Sequence, residues 1–167
     1  MKLARYKRIV GISLATAIII VIAAAFFSPW ALTLRNADTG RLYARWPIKE
    51  GGVFSVEFVH SVNQTPVREI FSVRGGRIVP VETVFYGFGA GMQTELEGNQ
   101  QLKQGENGEM SIIGFDMQFA KLEYIVGTVS DHLLAVGEDN VSLRELCGRN
   151  AAVTLKAEKT IFLLFSP

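Results

Sequence analysis

The chain has a single cysteine, Cys147, among its 167 residues, so no disulfide can form within it and its fold must be held by packing. It also lacks a surplus of either charge. Seventeen Lys and Arg face sixteen Asp and Glu, and beyond the first eight positions the basic residues do not cluster. That balance excludes the basic footprint of a nucleic-acid-binding domain. Histidine is scarce, with only His60 and His132, which leaves a catalytic thiol at Cys147 little choice of imidazole partner. Flanked by Leu146 and Gly148, Cys147 reads as a small residue buried near a turn. An internal repeat, a long linker and a convincing amphipathic helix are missing as well. What is abundant is apolar: 49% of the residues are hydrophobic, enough for a real core in one domain plus an appendage.

The appendage lies at the N-terminus. Lys2, Arg5, Lys7 and Arg8 precede an uncharged run over 9–27, close to the roughly twenty residues a helix needs to cross a bilayer. Residues 1–28 are therefore expected to form a transmembrane helix with a cytoplasmic N-terminus, leaving 29–167 in the periplasm and Trp30 at the interfacial level. Small residues such as Gly11, Ser13, Ala15 and Ala17 would let a neighbouring helix approach closely. Ala23-Ala24-Ala25 also suits a signal peptidase, so a cleaved secretory leader is the competing reading. Both readings export the folded part.

After Pro29 the pattern becomes strand-like. Short β runs are expected at 31–35 and 41–46 around a hairpin loop at 36–40, in the meander that follows Gly51-Gly52, and at 110–115, 122–129, 132–136, 152–157 and 160–165. About ten short strands predict an all-β domain, an antiparallel sandwich or a barrel, over 29–167. The Gly-, Asn-, Gln- and Glu-rich stretch 97–109 reads as a mobile surface loop. Gly87, Gly89 and Gly91 are spaced for a tight bend rather than a dinucleotide fingerprint. Residues 141–146 suit a single helical turn, with Ser142 as cap and Glu145 three residues on.

The candidate site comes from counting outward along two turns. Gly75-Gly76 is a two-residue hairpin signal, so Arg74 should pair with Arg77 and Glu69 with Glu82. With Asn63-Gln64-Thr65-Pro66 as the preceding loop, His60 falls opposite Glu69, and one face carries His60, Glu69 and Glu82 in a row among apolar residues. Neighbouring strands hold such side chains about 4.5–5.5 Å apart at Cβ, close enough for hydrogen bonds or for one divalent metal held by a nitrogen and two oxygens. Pro80 removes a ladder donor and threatens a bulge that would turn Glu82 away. Ser61 follows His60 directly and so points to the opposite face, which argues against a serine hydrolase. His132, after Ser130-Asp131, reads as an exposed turn residue.

Taken together, His60-Ser61, Thr65-Pro66-Val67, Glu69, Glu82-Thr83 and Phe88-Gly89-Ala90-Gly91 resemble the motif of a bacterial family of small exported proteins, a domain of unknown function commonly encoded beside TRAP transporters of the TAXI type. The likeness runs from about Pro29 to the C-terminus. It implies partners, namely the permease subunits or the TAXI-type solute-binding protein, and it implies His60, Ser61, Glu69, Glu82, Thr83, Gly89 and Gly91 as contact residues. The expected function is a membrane-anchored periplasmic accessory subunit without enzymatic activity or cofactor. The alternatives are a metal-binding protein or metal-dependent enzyme using His60, Glu69 and Glu82, and a soluble ligand-binding protein released from a cleaved precursor.

Overall fold

The structure is a computed structural model that describes residues 16, 19, 20, 22, 23, 27–62, 64–87 and 95–161. Thr16, Ile19, Ile20, Ile22, Ala23 and Phe27 have helical backbone, and no helix among the described residues is long and apolar enough to cross a membrane. Most of the membrane helix expected over 1–28 lies outside the described residues.

Eleven strands and one short helix follow in the described part: β1 (Trp30–Asn36), β2 (Leu42–Ile48), β3 (Val53–Val59), β4 (Pro66–Arg74), β5 (Arg77–Phe85), β6 (Gln101–Gln104), β7 (Met110–Ile113), β8 (Leu122–Ile125), β9 (His132–Val136), β10 (Asp139–Ser142), α1 (Leu143–Cys147) and β11 (Ala152–Lys159). They form two antiparallel sheets, one ordered β2-β1-β11-β8 and the other β10-β9-β3-β4-β5-β7-β6. The fold is all-β as expected, and of the two architectures expected, sandwich or barrel, it is the sandwich. Alternation drives it, because Leu32, Leu34, Val153 and Leu155 from the first sheet meet Phe54, Val56, Phe71, Val73, Leu134 and Val136 from the second in one core. A smaller cluster of Val67, Phe85 and Ile112 continues under the far strands of the larger sheet.

Local chemistry sets the turns. Asn36 Oδ1 accepts from the Asp38 and Thr39 amides, closing the β1–β2 loop. Gly75 and Gly76, at φ 55° and 75°, make the tight β4–β5 turn with Arg74 opposite Arg77. Ser142 caps α1 by accepting from the Glu145 amide, and Gly148 ends it. The stretch 97–109 departs from expectation: it contains β6, an exposed edge strand that pairs with β7. Only Thr160 and Ile161 of the expected strand 160–165 are described, and they form a 3₁₀ turn. The expected strand 122–129 stops at Ile125, and 127–130 is a turn.

Two registers differ from the count along the sequence. The β3–β4 loop falls at 61–64 rather than 63–66, with the His60 amide donating to Thr65 O at 2.8 Å and the Gln64 amide to His60 O at 2.9 Å. Phe54 then pairs with Phe71 and Val56 with Glu69, a slip of four residues. An even slip preserves faces, so the apolar side stays inward while His60 moves to the end of the ladder. On β5 the ladder passes from Phe71–Pro80 to Ile70–Glu82, leaving Val81 as an extra residue. This bulge beside Pro80 turns Glu82 outward and sets Thr83 opposite Glu69.

Candidate functional site

The row expected from sequence is not assembled. Glu69 and Thr83 are paired neighbours on the inner face, Glu82 lies on the other face opposite Ile70, and His60 stands at the β3 end beside the turn. Among the described residues no three His, Cys, Asp or Glu side chains come together to hold a metal ion, so the metal set of His60, Glu69 and Glu82 loses its geometric basis. Ser61 is exposed on the β3–β4 turn, and Gly89 and Gly91 lie outside the described residues.

Glu69 points between the sheets because β4 alternates and its neighbours Val67 and Phe71 are both core residues. Its carboxylate accepts a 2.7 Å hydrogen bond from the hydroxyl of Tyr124, carried by β8 of the opposite sheet. Burial pushes the Glu69 carboxyl above its ordinary range, and the Tyr124 hydroxyl pulls it partly back. The Tyr124 phenol is raised too, by burial and by the adjacent carboxylate, so it stays a donor. Glu69, Thr83 and Tyr124 share a cavity of about 270 Å³ with Phe71, Pro80 and Phe115.

The pair continues into a second cluster that the sequence reading assigned to an exposed turn. His132 opens β9 opposite Phe58, with the rings stacked at 5.1 Å between centroids, and Tyr124 tilts against it at 5.8 Å. Its Nδ1 accepts from the Gly127 amide at 3.3 Å, which puts the proton of the neutral ring on Nε2. Burial lowers the His132 pKa below the usual histidine value; Asp131 opposes that shift and Arg144 adds to it. Asp131 is fastened by the Ser142 hydroxyl at 2.5 Å and by the backbone amides of His132 at 2.7 Å and Arg144 at 3.1 Å. Its partial burial raises the carboxyl, but these donors and the Arg144 charge hold it below the ordinary value. The Arg144 guanidinium donates to Gly127 O at 3.1 Å and Val129 O at 2.9 Å, while its Nε is buried without a partner among the described residues.

The β8–β9 turn and the β3–β4 turn therefore face each other at one end of the sandwich. The Val59 amide ties them by donating to Ser130 Oγ at 2.9 Å. Between them lies a cavity of about 450 Å³ whose lining includes both histidines of the chain, Phe58, Ser61 and Thr128. Cys147 sits apart at the end of α1, half-buried against the core, and burial pushes its thiol up to about 11, so at neutral pH it is an inert packing group.

Sequence reasoning missed Tyr124, His132, Asp131 and Arg144 because their partners come from the opposing sheet or from beyond a turn. The capping pattern at Ser142 was the one local signal that touched this cluster.

Fold and site together define an antiparallel two-sheet domain with a cross-linked polar network between its sheets at one end. Residues 54–143, more than half of the chain, match a family described as Domain of unknown function (DUF1850), and the chain belongs to that family. The match runs from β3 to the first residue of α1 and so includes Glu69, Tyr124, Asp131 and His132. No curated protein and no solved structure matches the chain.

Proposed function

We propose that the protein is a membrane-anchored accessory subunit of a TAXI-type TRAP transporter, whose β-sandwich meets the permease subunits or the solute-binding protein on the periplasmic side. The basic flank and apolar run over 1–28 support the anchor, and the motif resemblance supports the partner. The observation that carries a contact role over catalysis is that the inter-sheet acid is already engaged. Glu69 is held by Tyr124, while Asp131 at the adjoining turn has three donors on it, an arrangement that rigidifies a surface rather than poising a base.

Extraction of the tagged full chain in mild detergent, followed by affinity purification, should recover permease subunits. Recovery of the chain alone, under conditions that keep the permease intact, overturns the reading. The second reading, a metal-dependent protein, has lost its three-ligand row. Stoichiometric zinc or manganese in protein purified without chelator would restore it and displace the first.

A further inference from the structure

We infer that the cavity between the β3–β4 and β8–β9 turns is a binding site for a small carboxylate. Its volume of about 450 Å³ falls within the roughly 300–1,000 Å³ typical of small-molecule sites. Both histidines reach it from separate turns, and Ser61 and Thr128 add hydroxyls, while none of the described residues that line it is acidic. Asp131 is next in the chain to two lining residues, yet its carboxylate is occupied by Ser142 and by the amides of His132 and Arg144.

Arg144 biases the pocket toward anions in two ways. Its guanidinium brings a positive charge behind the β8–β9 turn, and it occupies the carbonyl oxygens of Gly127 and Val129, which would otherwise repel an anion. His132 presents a donor, because the Gly127 amide takes Nδ1 and leaves the proton on Nε2. A cation would find no counter-charge in the lining. Phe58 and the exposed valines Val59 and Val129 at the two turns, 40% and 89% exposed, suit an aliphatic body attached to the acid. The inference stands on this pocket alone, and its test needs no permease.

The test uses the full chain in detergent with isotope-labelled histidine, whose two imidazoles report separately by NMR. Butyrate and succinate are the probes, with inorganic phosphate and butylamine as competitors. Saturable shifts of both imidazoles with either carboxylate are expected. The His132 pKa should also rise on binding, because the added anion joins Asp131 and the Tyr124–Glu69 pair in favouring the imidazolium, against Arg144 and His60. His132→Gln should weaken binding about tenfold, the value of one hydrogen bond to a charged group. Two further variants guard against a folding defect in that one. Val129→Glu should weaken and Val129→Lys tighten binding by about two- to threefold at low salt, since a charge at this exposed rim acts through solvent. Absence of saturation, tighter binding of phosphate or butylamine, or charge variants that act with the same sign would overturn the assignment.

Discussion

Replacing Tyr124 with Phe removes one oxygen and isolates a carboxylate between two sheets. In the native protein that oxygen donates at 2.7 Å to Glu69, whose pKa is raised by burial and partly restored by this bond. A hydrogen bond to a charged group contributes about 1.5–3 kcal/mol and one between neutral groups about 1 kcal/mol. At pH above the raised Glu69 pKa, where the carboxylate is ionised, Tyr124→Phe should therefore cost about 2 kcal/mol. At pH 4, with the carboxyl protonated, the loss should shrink to about 1 kcal/mol. The sign follows from linkage. A carboxyl raised above its unfolded value favours the folded state fully below that unfolded value, and the advantage is lost as pH rises through the folded pKa. Removing the Tyr124 donor raises the folded pKa further, so the variant's deficit must grow with pH. Urea denaturation of both proteins at several pH values measures it. Glu69→Gln is the companion, because a neutral amide still accepts from Tyr124 and should flatten the pH dependence and stabilise where the native carboxyl is ionised. A deficit for Tyr124→Phe that is independent of pH, or that grows toward acid, would refute the reasoning.

Other substitutions probe separate parts of the fold. Gly76→Ala would place a Cβ 2.5 Å from the Trp30 ring at φ 75°, whereas Gly75→Ala at φ 55° meets open space. Gly75→Ala should thus cost about 1 kcal/mol for the left-handed backbone alone, and Gly76→Ala clearly more, as read by thermal melting. Asp131→Asn should lessen the loss of stability on acidification, because a carboxyl held below its unfolded pKa contributes above that value and loses the contribution as pH falls through the folded one. The acid limb of a denaturation series reads this directly. Glu158→Ala leaves the Arg35 guanidinium, with its side chain 10% exposed, without the carboxylate now at 3.1 Å, and should lower stability by about 2–4 kcal/mol in chemical denaturation.

The β inventory was legible because its signals are local. Gly75-Gly76 dictated a tight turn with Arg74 opposite Arg77, Asn36 organised its own loop, and Ser142 with Glu145 marked the helix start. Register was legible only modulo two. The loop after His60 closed around 61–64 instead of 63–66, and the alternation that kept Phe54, Val56 and Phe58 facing inward is indifferent to an even slip. The bulge at Val81 had its cause in view at Pro80, but whether it formed depended on the ladder with β4 and β7. Edge strand β6 was hidden because its four residues are exposed and, Leu102 apart, polar, so no alternation announced it.

By itself the amino-acid sequence determined an all-β antiparallel domain, sandwich or barrel, with the tight turn at Gly75-Gly76 and the inward-facing apolar alternation of β3 and β4, because propensity and period-two patterning act between near neighbours. Only the tertiary structure decided which polar groups meet. Tyr124 reaches Glu69 across the core, and His60 and His132 reach one cavity from separate turns, because contacts between sheets depend on loop closure and ladder register summed over long stretches of chain.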